Sequence, residues 1–257
     1  MTFLDSSSDQ PGPATGSPEP IASREGVEQA GKIALGEIFS IALEIYRKNP
    51  IMIVPSLVPI AGLILGLIAF AGFVGLAVVF GERRFLAFTA FGGILLFAII
   101  LIILFITAEG LTIEMVKEAF AGRKVELAPA WEASRGRIAP LIWTSVLAGI
   151  IIVLGYVLLI IPGLILTAIF YFVAQAVMID GKSGTEALKA SYGFLKANLE
   201  DSIVVILASV AISLLLPMIP FIGFLLSLIA FPYIYALSTL LYLGRKVKAA
   251  GEASEPT

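Results

Sequence analysis

Cysteine and histidine are both absent from the 257 residues, and charge is scarce. Without cysteine there is no disulfide framework, no thiolate nucleophile and no thiolate metal site. Without histidine the chain lacks the commonest general base and the commonest transition-metal ligand, so no Ser-His-Asp triad can be assembled. Carboxylates could still hold a hard cation such as magnesium. No cofactor, metal centre or catalytic group is expected. Only 14% of the residues are charged, against about 25% in a soluble domain. With 59% hydrophobic residues and a mean hydropathy of +1.01, one globular core cannot conceal the apolar surface, and lipid must solvate much of it. A net charge of −2 offers no clustered basic footprint for nucleic acid.

What the chain does have is long uncharged blocks. They comprise 33 residues between Lys48 and Glu82, 24 between Arg84 and Glu109, 42 between Arg137 and Asp180, and 43 between Asp201 and Arg245. One crossing of the hydrocarbon takes about 20 helical residues. The last two blocks are twice that length and must fold back, with breakers at Pro162-Gly163 and at Pro217 and Pro220. An all-α, polytopic membrane bundle follows, with six spans at about 51–80, 85–108, 139–161, 163–180, 202–218 and 221–243. The second carries ILLFAIILIILFI at 94–106, whose twelve Leu, Ile and Phe residues favour insertion by about 4–7 kcal/mol. Pro55 and Pro59 would allow the first block to be either a kinked span or a re-entrant piece.

Basic residues test the count. With six spans and both termini in the cytosol, 15 Lys and Arg lie inside and only Arg83 and Arg84 lie outside, as the positive-inside rule requires. A re-entrant first block would put six outside. The expected layout is a disordered tail at 1–30, an amphipathic helix at 31–49, the membrane domain at 50–246 and a disordered tail at 247–257. The first tail is rich in Pro, Ser and Gly and has no signal-peptide pattern.

Three segments read as amphipathic and cytosolic. In the first, Ile38, Ile41, Ala42 and Ile45 share a face. Segment 111–138 runs through Met115, Phe120, Trp131 and Ile138. Segment 183–199 spaces Leu188, Tyr192, Leu195 and Leu199 along one side. Such segments either lie in the headgroup boundary, anchored by Tyr46, Trp131, Trp143 and Tyr192, or pack under the bundle. Each precedes a pair of spans, which suits either a threefold repeat or a chance echo of composition.

Ala176-x-x-x-x-Gly181-Lys182-Ser183 falls one residue short of a phosphate-binding loop. That chemistry needs a turn between strand and helix, whereas 176–179 complete an apolar helix. Asp180-Gly181 is expected to turn the chain at the membrane surface, with Ser183 and Glu186 forming a capping box. No ionisable residue is expected well inside a span, since Glu109, Asp180 and Asp201 fall at span ends. Gln175 and the intramembrane hydroxyls are expected to bond between helices or back to a carbonyl. Gly62-x-x-x-Gly66 and Ala71-x-x-x-Gly75 permit close helix approach.

One ordered string stands out in the C-terminal half. It comprises Leu159-Ile-Ile-Pro162-Gly163, then Phe172-x-Ala174-Gln175-Ala-Val177, then Asp180-Gly181-x-Ser183-Gly184-x-Glu186-Ala187-Leu188-Lys189-x-Ser191, and Lys196-x-Asn198. It resembles the membrane domain found ahead of some glycerophosphoryl diester phosphodiesterases and its stand-alone relatives, well over 111–246 and loosely over 33–108. The resemblance implies a polytopic helical domain of the cell membrane and carries no catalytic residue. The expected function is non-enzymatic: scaffolding, docking or regulation of a cytosolic or membrane protein partner at the cytosolic face. The alternative is a transporter or channel for an uncharged or lipid-like substrate, favoured by proline-interrupted spans.

Overall fold

The computed structural model describes residues 35–80 and 83–254. The tail expected at 1–30, the start of the 31–49 helix, residues 81–82 and residues 255–257 lie outside them. Described residues are helical almost throughout, with no strand among them. In chain order the helices are α1 (Leu35–Lys48), α2 (Val54–Phe80) after a 3₁₀ turn at Pro50–Ile53, α3 (Arg83–Phe120), α4 (Leu127–Leu158), α5 (Ile160–Ile169), α6 (Val173–Met178), α7 (Gly184–Ala197), α8 (Leu199–Leu215) and α9 (Gly223–Ser254). Six stretches are long and apolar enough to cross a membrane: Pro50–Leu76, Phe91–Phe120, Leu127–Leu158, Ile160–Met178, Leu199–Met218 and Leu225–Lys246. The protein is an all-α, multi-pass membrane bundle.

Proline position decides where these helices break. Pro50 stops α1, and the Asn49 side chain caps its end by donating to the Ile45 carbonyl at 2.9 Å. Pro55 falls in the first turn of α2, where no N–H is needed. Pro59 lies inside α2 and Pro232 inside α9 without ending either helix. The first block is therefore a 3₁₀ turn followed by one continuous helix, which Pro55 and Pro59 do not interrupt. In the third block the chain turns at Leu159, which is extended (φ −164°, ψ 154°), not at Pro162-Gly163. Pro162 instead sits in the first turn of α5, where its missing N–H costs nothing. Leu216–Met218 form a 3₁₀ turn, and the chain reverses before Gly223, as expected from Pro217 and Pro220.

Segment 111–138 is not a separate surface helix. Its first part is the continuation of α3, which runs past Glu109 to Phe120. There Gly122 (φ 68°) ends it, with the Arg123 N–H returning to the Glu118 carbonyl at 3.0 Å and the Gly122 N–H to Ala119 at 3.0 Å. Its second part opens α4, which continues through Pro140 into the span. Thr112, Ile113, Met115 and Val116 are fully buried, so packing keeps this stretch helical where amphipathic pattern alone suggested a surface. At the other end of the chain α9 extends to Ser254, past the expected boundary at 247.

Packing is unequal along the membrane normal. One end of the bundle carries α1, the end of α3, the start of α4, α6, α7 and the end of α9. Its core contains Ile38, Ile113, Leu141, Phe172, Leu237 and Leu241. We call it the basic end, for the Lys and Arg residues around it. Toward the opposite end the apolar side chains stand exposed, among them Val157, Leu158, Ile160, Leu215, Met218 and Phe221. Within the α2/α3 hairpin, a Cβ on Gly62 would meet Leu104 at 2.7 Å and one on Gly66 would meet Phe97 at 1.8 Å. These glycines serve contact within the chain. Gly75 has nothing within 4 Å.

Candidate functional site

The part of the sequence string from Phe172 to Ser191 gathers at the junction of α5, α6 and α7 at the basic end. The fourth span is itself interrupted: α5 stops at Ile169 and α6 starts at Val173, which leaves backbone groups without helical partners. Ser191, fully buried on α7, satisfies two of them. Its hydroxyl donates to the Ile169 carbonyl at 2.6 Å and accepts the Phe172 N–H at 3.2 Å. The same face of α7 buries Ala187, Leu188 and Leu195. Tyr192 and Leu199, expected on that stripe, are half exposed. The helix spans 184–197 and breaks at Asn198, whose amide donates to the Phe194 carbonyl at 3.0 Å.

Ser183 occupies the N-cap of α7, but the capping box with Glu186 does not form, because its side chain makes no cap hydrogen bond. Thr144 of α4 takes its place. The Thr144 hydroxyl accepts the Gly184 N–H at 2.8 Å and donates to the Pro140 carbonyl at 2.7 Å. A tertiary contact has displaced a local one. The phosphate-loop geometry is absent too: the N–H groups of Gly181 and Lys182 return to the carbonyls of Val177 and Ala176 at 3.1 and 3.3 Å. Donors committed to their own helix cannot converge on a phosphate. Gly181 (φ 67°) makes that turn, and Asp180 beside it accepts from the Tyr242 hydroxyl at 2.8 Å and from the Lys246 ammonium. Pro162 and Gly163 lie far from this junction, at the opposite end of α5. There Gly163 passes close to Gly155, a Cβ on which would lie 3.1 Å from the Gly163 Cα.

Ion pairs gather at the same end. Asp201 binds Arg245 at 2.7 Å. Glu114, nearly buried, binds Lys117 at 2.7 Å and lies 4.0 Å from Arg137. Arg137 also donates to the Met178 carbonyl at 2.5 Å. An aromatic group fills the space between: Phe172 meets Phe194 at 4.7 Å, and Phe194 meets Tyr242 at 4.5 Å between ring centroids. These rings come from the break between α5 and α6, from α7 and from α9, and no spacing in the sequence announces them.

Deeper in the bundle, several hydroxyls bond as expected for interhelical contacts. Tyr171 donates to Ser209 at 2.7 Å, and the Gln175 amide donates to Ser238 at 2.8 Å. Thr107, Thr167 and Ser227 bond back to their own helices. Glu109 departs from expectation. It is not at a span end but about three turns before the end of α3, interacting electrostatically with Tyr171 and Tyr235. The uncharged run stops at Glu109, yet no strong helix stop appears until Gly122, and that was the usable signal. A separate groove of about 380 Å³ between α3 and α4 is lined by Ile102, Ile106, Ser145, Ile150 and Leu154. It is nearly all apolar and opens toward lipid.

Over residues 133–250 the chain is similar to a domain of unknown function, DUF7847. No curated protein matches the chain, and no solved structure does.

Proposed function

We propose that the protein is a non-enzymatic scaffold of the cell membrane that holds or regulates a protein partner at its cytosolic face, with both termini in the cytosol. One observation carries the reading: the closely packed, ion-paired part of the molecule is the basic end, while apolar side chains stand exposed toward the other. The positive-inside rule assigns the basic end to the cytosol. There α7 is fixed by Ser191 and Thr144 from within and carries Lys189 and Lys196 exposed on its outer side, with Lys182 exposed just before it, none of the three in an ion pair among the described residues. Charges held on a rigid frame suit recognition better than charges on a loose loop. Kinship with the membrane domain that precedes glycerophosphoryl diester phosphodiesterases belongs to the same proposal. The string that carries it, 159–198, falls within the stretch similar to the domain of unknown function. A transporter of an uncharged or lipid-like substrate is the second reading, favoured by the interrupted fourth span.

Photo-crosslinking in living cells tests the scaffold. A crosslinker at Lys189 or Tyr192 should yield a discrete protein adduct, reduced by Lys182→Glu or Lys196→Glu, while one at Phe221 on the far side yields lipid adducts only. Lipid adducts alone at all three positions would refute docking. Substrate flux in proteoliposomes would then favour transport.

A further inference from the structure

The apolar groove between α3 and α4 has a polar mouth. Trp143, Val146, Ile150 and Val153 recur at helical spacing and form one stripe along α4. The last three line the groove, and Ile102 and Ile106 of α3 form its facing wall. Along α4 the lining runs from Ser145 to Leu154, which at 1.5 Å per residue is about 14 Å. One leaflet's share of the hydrocarbon is roughly 15 Å. Because α4 enters from the basic end, Ser145 marks the shallow end and Leu154 the deep one. Trp143 stands exposed just above the shallow end, where an indole suits the headgroup boundary. Its Nε1 lies 4.0 Å from the position that a Cβ on Gly184 would take, and Thr144 beside it holds the Gly184 N–H at 2.8 Å. These contacts bring Lys182 and Ser183 to the indole. The backbone donors of this turn are committed, but the side chains are not. The Lys182 ammonium, the Ser183 hydroxyl and the Trp143 indole N–H are exposed and make no hydrogen bond or ion pair among the described residues.

We infer that the α3/α4 groove and its mouth bind one phospholipid of the leaflet at the basic end. A hydrocarbon chain lies along Val146, Ile150 and Val153, and the phosphate meets Lys182, Ser183 and Trp143. A phosphodiester carries one negative charge, which the ammonium balances, and its oxygens accept from the hydroxyl and the indole N–H. Of the nearby carboxylates, Asp180 is already held by Tyr242 and Lys246, and Glu186 stands one turn further along α7. An apolar helix face elsewhere on the bundle offers a lipid nothing but chain contacts. Here the groove confines the chain while three free donors fix the head. A transmembrane helix seated in the groove would cover the same wall but leave those donors unused. Lys189 and Lys196 lie further along α7 and take no part, so a bound lipid leaves the docking face free. This inference rests on neither reading of function above.

Native mass spectrometry of the full chain, delipidated in detergent, tests the site. Dioleoyl phosphatidylglycerol should add saturably, one molecule per chain. Dioleoylglycerol, which has the chains without the phosphate, should bind about tenfold more weakly. Inorganic phosphate, which has no chain, should neither bind nor compete. Gly149→Phe fills the groove where the space is open, since nothing lies within 4 Å of a Cβ there, and should abolish the lipid adduct. Lys182→Ala should weaken it about tenfold. Leu207→Phe, exposed on α8, should leave it unchanged. If Gly149→Phe fails to insert, Val153→Trp, at an exposed position of the lining, blocks the same path. The inference is overturned if the blocked variant keeps the lipid at wild-type affinity, or if dioleoylglycerol binds as tightly as the phospholipid. An unsaturable ladder of adducts would also overturn it, as would a dimer that Gly149→Phe disrupts without any lipid adduct, because the groove would then belong to a second copy.

Discussion

Replacing Ser191 with alanine removes one oxygen from a fully buried position and adds nothing. In the native protein that oxygen serves the Ile169 carbonyl at 2.6 Å and the Phe172 N–H at 3.2 Å, where the fourth span is broken. Alanine fits the space, so the cost is electrostatic and not steric. Each buried backbone group left without a partner costs about 1–3 kcal/mol. Two of them give about 2–6 kcal/mol, a large share of the about 5–15 kcal/mol that stabilises a typical domain. Ser183→Ala is the matched control on the same helix. The N-cap position would suggest a loss of about 0.5–2 kcal/mol, but the Ser183 side chain makes no cap hydrogen bond. Its replacement should therefore be nearly neutral. Thr144→Val, which keeps shape and removes the hydroxyl that accepts the Gly184 N–H, should cost about 1–3 kcal/mol instead. SDS-titration unfolding of the purified protein, followed by the fluorescence of Trp131 and Trp143, would rank the three. The reasoning fails if Ser183→Ala destabilises as much as Ser191→Ala, because the local cap would then outweigh the tertiary contacts.

Other positions give equally direct checks. Gly155→Ala sets a Cβ 3.1 Å from the Gly163 backbone, and the α4/α5 hairpin should open at a cost of about 1–3 kcal/mol, seen as a lower unfolding midpoint. Leu195→Glu places a carboxylate in the core of the basic end and should sharply reduce membrane-inserted yield. Lys196→Glu, on the outer side of the same helix, should leave that yield close to wild type, and equal yields would mean that α7 is not packed. Single cysteines should label from outside whole cells at Phe221 and resist an impermeant reagent at Ser40 and Lys189, and the reverse pattern would invert the topology. Purified protein should show no ATP binding that Lys182→Ala removes, as measured by calorimetry.

The number of spans and the class of fold were legible in the sequence, because lipid imposes a length and an apolarity that any crossing helix must meet. The scarcity of charge, the length of the four blocks and the reversal at Pro217 and Pro220 all follow from that one-dimensional constraint. Residues 38, 42 and 45 on α1 were likewise readable, since burial on one face leaves a 3.6-residue period. What the sequence could not decide was which partner each polar group would find. Ser183 has the spacing of a cap, yet the Gly184 N–H goes to Thr144, forty residues away. The break in the fourth span falls at Phe170–Phe172 without proline or glycine, and it is stable because Ser191 arrives from another helix to satisfy it. Glu109 ends an uncharged run, but α3 continues beyond it, because the core of the basic end buries Thr112 through Val116 and keeps the helix intact. Local spacing reports what a residue could do within its own turn. Hydrogen bonds between helices compete with those local options, and they win here because a buried donor or acceptor in lipid has no water to fall back on.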